Sequence, residues 1–304
     1  MNLFNQYIVM YVVNLKIKTI KLPLYVLISF LLIGCSITRL QQKGNVHPDV
    51  FTFETSFTTQ KSILILLFEF NGVTKNFLFD TGADVSLIQR EYPIGKTQNI
   101  SGASNRKMKL GKEYVKSLKI GTVEFKNTFA LNGDLDGLKQ QISDFSGIIG
   151  QTIINKANWQ IDYPNKKLKI SNKDLTDTNF QAIKFKLIDA APYTFITIKG
   201  VEHKVIIDLG SSSEFNLPEG SKLAKQLLQE YNFKNNERER YTIGGIQTIV
   251  EQIGIIPLIK IEGIEFKNVK TSINVSSQPR IVSAFFKDCV VLIDNSYNHY
   301  KIKK

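Results

Sequence analysis

Cysteine is nearly absent: Cys35 and Cys289 are the only two in 304 residues. That count excludes a disulfide-stapled fold. Histidine is as scarce. His47, His203 and His299 are scattered, so the chain offers neither a Cys/His nucleophile pair nor a cluster with zinc-ligand spacing. No metal and no other cofactor is expected. Amphipathic helical spacing is nearly missing too, and is convincing only from Ser221 to Tyr231, where Leu223, Leu227 and Leu228 recur. Negative charge is outnumbered, with 27 acids against 39 lysines and arginines for a net +12. The lysines are spread along polar strand faces and turns, and no zinc-finger or RNA-binding motif accompanies them. A solvated basic surface is therefore expected, and no nucleic-acid partner.

Residues 1–34 contain no acid at all. They carry Lys16, Lys18 and Lys21, then run apolar from Leu22 to Gly34 and into Cys35. A basic region, a short apolar region and a small residue before a cut site make a secretory signal. The apolar run, 13 residues long, is shorter than the roughly 20 that a membrane span needs. The ending Leu32-Ile-Gly-Cys35 resembles the lipobox of bacterial lipoproteins, which implies that Cys35 is acylated and becomes the first residue of the mature chain. An uncleaved anchor is the other reading of the same segment. Both hold the protein at a membrane and outside the cytoplasm, in the cell envelope. With Cys35 lipidated, Cys289 has no partner; it lies in the apolar run 285–293 and reads as a small buried hydrophobe. Residues 35–58 are expected to be a polar tether.

Beyond the tether the chain is a series of short β-branched or aromatic segments, separated by Asn-Gly, Gly-Ala and Pro-Asn turns. This is an all-β pattern, and it repeats. Residues 70–82, ending Phe77-Leu-Phe-Asp-Thr-Gly82, align with residues 199–210, ending Val205-Ile-Ile-Asp-Leu-Gly210. Leu118-Lys-Ile-Gly-Thr-Val-Glu-Phe-Lys-Asn127 aligns with Ile259-Lys-Ile-Glu-Gly-Ile-Glu-Phe-Lys-Asn268, and Trp159-Gln-Ile-Asp162 with Val291-Leu-Ile-Asp294. Three matched blocks in one order indicate an internal duplication. The predicted lobes are 59–175 and 176–304, joined through the polar stretch 171–179. A monomer with an internal pseudo-two-fold axis follows.

The stretch Phe77-Leu-Phe-Asp-Thr-Gly-Ala-Asp-Val-Ser-Leu-Ile88, with Gly147-Ile-Ile-Gly150 about 70 residues on, resembles the active-site loop and backing strand of the retropepsin/pepsin class of aspartic proteases. The resemblance covers residues 59–304. It implies two retropepsin-like β-barrel lobes in a pepsin-like pseudo-dimer and a catalytic dyad of Asp80 and Asp208. One carboxylate would take a proton from water while the other, protonated, donates to the scissile carbonyl. Two carboxyls about 3 Å apart share a proton and titrate as a unit, which puts activity on the acid side. The resemblance also assigns loop support to Thr81, Gly82, Gly150, Gly210 and Ser211, with the Thr81 hydroxyl bonding across to the opposite loop. Asp84 reads as a local loop cap.

Gly-containing turns at Ile100-Ser-Gly-Ala-Ser104 and Thr242-Ile-Gly-Gly-Ile246 occupy matching places. By the resemblance, Ser101, Gly102, Gly244 and Gly245 belong to flaps that close over an extended peptide; ordinary surface hairpins are the other reading. The second lobe departs from the family pattern. Leu209 replaces the usual Thr or Ser, and Ile281-Val-Ser283 stands where hydrophobic-hydrophobic-Gly is expected, so that Ser283 would crowd the space behind the loop. Two functions fit: a membrane-tethered aspartic endopeptidase acting on peptides or unfolded protein, or an inactive module of the same fold that binds extended peptides or an envelope partner.

Overall fold

The computed structural model describes residues 38–101, 107–188, 191–276 and 278–304. The signal segment and Cys35 lie outside the described residues, as does Gly102 of the first turn. Among the described residues no helix is long and apolar enough to cross a membrane.

Short β-branched and aromatic segments that alternate in burial have one stable outcome, a strand with one face on a core. Strands Ile63–Phe70 and Val73–Phe79 form a hairpin in which Ile65 faces Leu78. Its turn is Asn71-Gly72, with both residues at positive φ (52° and 77°), the twist that a two-residue hairpin turn requires. Strand Phe145–Ile149 then lies parallel to Val73–Phe79, and Ser86–Gln89 lies parallel to Val123–Gly133. The same construction recurs downstream. Ala191–Ile198 and Val201–Asp208 form a hairpin that turns at Lys199-Gly200, again at positive φ (49° and 81°). Arg280–Val282 lies parallel to Val201–Asp208, and Phe215–Pro218 lies parallel to Ile264–Asn274. Each construction belongs to its own large sheet, nine-stranded in the first lobe and eight-stranded in the second.

A third, six-stranded sheet joins the lobes. Its order is Gln181–Ile183, His299–Lys303, Val290–Asp294, Asn158–Asp162, Lys167–Ser171, Thr52–Ser56. The two blocks matched in the sequence, Trp159–Asp162 and Val291–Asp294, are hydrogen-bonded to each other at its centre. Trp159 faces Ile293, Gln160 faces Leu292 and Ile161 faces Val291. The pseudo-two-fold axis therefore passes through the Gln160/Leu292 pair.

Residues 38–58, expected as a tether, are built into the fold. Asn45–His47 pairs with Glu124–Lys126, Thr52–Ser56 closes one edge of the six-stranded sheet, and Phe51 and Phe57 are buried in the core. The alternation of Phe51, Phe53 and Phe57 with polar residues is the signal of an edge strand with one apolar face. The helix expected near Ser221 is present as Lys222–Glu230, and the Ser221 side chain accepts a hydrogen bond from the Ala224 N–H. Cys289 is free and buried, and burial pushes its thiol up to about 11.

The principal core runs from the first lobe through the six-stranded sheet into the second. Trp159 sits at its middle, fully buried, stacked on Phe125 with ring centroids 6.1 Å apart and tilted against Phe79 at 5.2 Å. Its indole N–H donates to the Ile154 carbonyl at 2.8 Å. A smaller apolar cluster covers the other face of the first lobe's sheet.

Because the sole tryptophan lies in the sheet to which both lobes contribute, its fluorescence reports on their joint integrity. Fluorescence and far-ultraviolet circular dichroism are expected to give coincident urea transitions. A tryptophan transition well separated from the dichroism transition shows lobes that melt apart.

Candidate active site

Asp80 and Asp208 each end an apolar strand and begin a Gly-containing loop, and the two loops meet at the junction of the lobes. The Asp80 N–H is fixed by the Ile149 carbonyl at 2.9 Å. Oδ1 of Asp80 accepts from the Gly82 N–H at 2.8 Å, and Oδ1 of Asp208 accepts from the Gly210 N–H at 3.1 Å. The glycines are required by the close approach of the two acids. A Cβ on Gly82 would lie 3.1 Å from Oδ1 of Asp208 and 3.2 Å from Oδ1 of Asp80, and one on Gly210 would lie 2.0 Å from Cγ of Asp80. Burial, reinforced by the neighbouring Asp208 carboxylate, pushes Asp80 up to about 8.

Thr81 ties the loops together. Its hydroxyl, fully buried, donates to the Ile207 carbonyl at 2.9 Å and accepts from the Leu209 N–H at 3.0 Å, so one side chain of the first lobe fixes the backbone on both sides of Asp208. Leu209 returns no such bond; its side chain is wholly buried in the principal core. One half of the symmetric cross-loop clasp is present, and apolar packing stands in for the other.

The strand register corrects the expectation for Ser283. Phe79 faces Ile149, and Ile207 faces Ile281. Val282 therefore stands at the place of Gly150, and Ser283 at that of Gln151. Gln151 donates to the Thr81 carbonyl at 2.7 Å, and the Ser283 hydroxyl donates to the Leu209 carbonyl. Ser283 does not crowd the loop; each residue supports the loop of its own lobe. Gly150 is tightly placed, since a Cβ there would meet the backbone oxygens of Val85 at 2.6 Å and Ala83 at 2.7 Å. Val282 fits because the second loop has one more residue before its outgoing strand: Ser86 lies opposite Ala130, whereas Phe215 lies opposite Thr271. The longer loop is accommodated with Ser213 at φ 89°. At its base the first lobe has a buried polar knot, in which Ser86 Oγ accepts from the Gly150 N–H and bonds to Thr152 Oγ1. Phe215 and Ala284 take those places in the second lobe.

Sequence reasoning missed Arg280. Its Nη1 donates to Oδ2 of Asp208 at 2.7 Å, an ion pair in which the carboxylate is almost wholly buried. Ser211, assigned to loop support, lies half-buried in the loop and makes no hydrogen bond to Asp208 among the described residues; the outer oxygen belongs to Arg280. Arg280 faces Ile206, two residues before Asp208 on the paired strand, a placement that only the register reveals.

Of the two flap turns, the first belongs to hairpin Thr97–Ser101 and Lys107–Ile120, where Ser101 faces Lys107. The second, Ile243-Gly244, joins Lys234–Thr242 to Gly245–Ile261. It is not a free surface hairpin: Tyr241 and Ile243 pack on the apolar cluster of the first lobe. A Cβ on Gly137 of that lobe would lie 2.3 Å from the Thr242 carbonyl oxygen and 2.7 Å from Cα of Gly245. A cleft of 310 Å³ remains there, between Met108, Asp134 and Gln140 on one side and Ile243 to Ile246 on the other. Among the described residues no three His, Cys, Asp or Glu side chains converge on a possible metal position.

Asp80 makes stability depend on pH. An unperturbed Asp ionises near 3.8 and folded Asp80 near 8, so between those values the folded chain keeps a proton that the unfolded chain has released. Its contribution is therefore full in acid and is lost as pH rises through about 8. Asp80→Asn removes this titration. Its thermal midpoint relative to the parent is expected to rise from pH 5 to pH 9 by at least about 2 °C, which at this size corresponds to about 1 kcal/mol. A difference that stays flat over that range overturns the assignment of the proton.

No protein-family model matches the sequence, and no curated protein does. Among solved structures the chain is similar to basic 7S globulin from soybean, with a TM-score of 0.51 and 8% identity over 86% of this chain and 95% of that one. At that identity the likeness concerns the fold alone: the chain has an all-β, two-lobed, pepsin-like architecture.

Proposed function

We propose that this chain is an aspartic endopeptidase, hydrolysing peptide bonds in extended or unfolded polypeptide through Asp80, Asp208 and a water between them. The observation that carries the reading is geometric: Asp80 and Asp208 face each other across two loops, each carboxylate held by the N–H of the glycine two residues on, and the loops are clasped by Thr81. Burial, with the Asp208 carboxylate beside it, raises Asp80 so that it keeps a proton well above the usual carboxylate range. A dyad with one proton has the composition that the reaction needs. Asp80 donates to the scissile carbonyl oxygen while Asp208 takes a proton from the attacking water; Asp208 then gives that proton to the amine nitrogen, the C–N bond breaks, and a hydroxyl of the gem-diol returns a proton to Asp80 as the carboxyl product forms. Thr81, Gly82 and Gly210 hold the two acids in register, and a single chain serves because its lobes stand in for two subunits.

The full chain is expected to cut unfolded protein and random decapeptides on the acid side of pH 8, with activity falling as Asp80 ionises. Asp80→Asn and Asp208→Asn each abolish turnover. No cleavage anywhere from pH 3 to 9 overturns the reading.

A specific observation favours a second reading. The guanidinium of Arg280 engages the carboxylate that must act as base, which suits a module that binds peptide without turnover. That reading requires peptide affinity to survive Asp208→Asn in a parent that shows no hydrolysis.

Membrane attachment belongs to the same proposal. Its support is the run Leu22 to Gly34 ending at Cys35, which suits lipidation and a place in the bacterial envelope. In cells fed labelled palmitate, label is expected in the parent and not in Cys35→Ser; equal labelling of the two overturns the attachment site.

A further inference from the structure

The two lobes share a backbone but treat one face of it in opposite ways. In the first lobe, Leu87, Ile148, Leu131 and Leu110 occupy adjacent strands and form the smaller apolar cluster. The register puts Asn216, Arg280, Ser272 and Glu251 in the corresponding places of the second lobe. Ile100, at the edge of the apolar cluster, corresponds to Arg238, by the pairing of Gln98 with Leu110 and of Asn236 with Glu251. Five apolar positions have thus become five polar or charged ones.

The covering differs to match. In the first lobe the connection 134–144 runs over this face and seats Leu135, Leu138 and Ile142 on it. In the second lobe the corresponding connection is only 275–279, between Ile264–Asn274 and Arg280–Val282, and guanidinium groups lie there instead. Arg238 pairs with the buried Glu251 at 2.7 Å, and Arg280 pairs with Asp208 at 2.7 Å. Arg240, hydrogen-bonded to Gln247 at 3.1 Å, is pushed below its usual range by burial and by the charges of Arg238 and Arg280, partly offset by Glu251. Among the described residues, Nε of Arg280 and Oδ1 of Asn216 are buried atoms without a hydrogen-bond partner, and Asn216 is only 7% exposed. The two residues are cross-strand partners, and a donor and an acceptor left unmade in a buried site are unfavourable unless a ligand meets them.

We propose that this face of the second lobe is a subsite for an acidic residue of the bound peptide, an Asp or Glu whose carboxylate Arg280 takes in place of Asp208. The inference rests on the reading of the cleft as a peptide site. The incoming carboxylate meets the Arg280 fork including Nε, and the peptide N–H of the same residue meets Oδ1 of Asn216. Arg280 is then a specificity residue. Its exchange of partners frees Oδ2 of Asp208, so an acidic peptide both fills the subsite and releases the base.

The test uses the full chain and quenched-fluorescent decapeptide mixtures in which one position at a time is fixed as Glu, Gln or Lys. At one position the parent is expected to cut Glu peptides with kcat/KM at least tenfold above Gln peptides. Arg280→Ile, which installs the first lobe's residue, and Arg280→Lys, which keeps the charge and loses the fork, are each expected to erase the preference. Equal handling of Glu and Gln by the parent, or a preference that survives both variants, overturns the subsite and leaves the peptidase reading intact. If no mixture is cut, the peptidase reading fails by itself, and fluorescence anisotropy of the same mixtures on Asp80→Asn decides the subsite. At least tenfold tighter binding of Glu peptides, lost when Arg280→Lys is added, upholds it; equal binding, or no binding, overturns it.

Discussion

Two carboxyl groups pressed together inside a protein cannot both remain charged, and the centre of this molecule is organised around that constraint. Desolvation and mutual repulsion put a proton on Asp80, and a guanidinium answers the charge on Asp208. The glycines beside the acids follow, because any side chain there would enter the space that the carboxyls occupy. So does the clasp through Thr81, which fixes the backbone on both sides of Asp208 and so keeps the second acid within reach of the first.

From that centre outward the lobes diverge according to what each face has to cover. The first lobe carries an eleven-residue connection over its sheet and fills the space beneath with leucine and isoleucine. The second has a five-residue connection, and its face carries Asn216, Ser272, Glu251 and the guanidiniums of Arg238 and Arg280 in place of apolar side chains. The long hairpin of the second lobe leans the other way and presses Tyr241 and Ile243 onto the first lobe's apolar cluster. The second lobe thus completes part of the first. An ancestral dimer would have to do the same in both directions, and this chain does so in one.

Local chemistry was legible in the sequence and register was not. Asp80, Thr81, Gly82 and Gly150 stand out because a turn that presents an acid to a partner tolerates few residue types, and the duplication pointed to Asp208 through matched blocks. Arg280 was hidden because its meaning depends on the register that sets it beside Ile206; a shift of one residue also moved Ser283 from an obstacle to a support. Residues 38–58 read as a tether because edge strands are short and half polar, and only the pairing of Thr52–Ser56 with Lys167–Ser171 shows that they belong to a sheet. The docking of the second hairpin depends on a contact between residues far apart in sequence, which no local pattern encodes.

The six-stranded sheet also fixes the order of events during synthesis. Strand Asn158–Asp162 is made early, but its partner Val290–Asp294 emerges about 130 residues later. Until then one edge of Asn158–Asp162 is an open row of amide and carbonyl groups beside Trp159, Ile161 and Ile170, a surface suited to pairing with any other strand. A chain in this state is vulnerable to aggregation. Completion of the sheet is therefore a late, long-range step, and the first lobe depends on the far end of the chain to protect it.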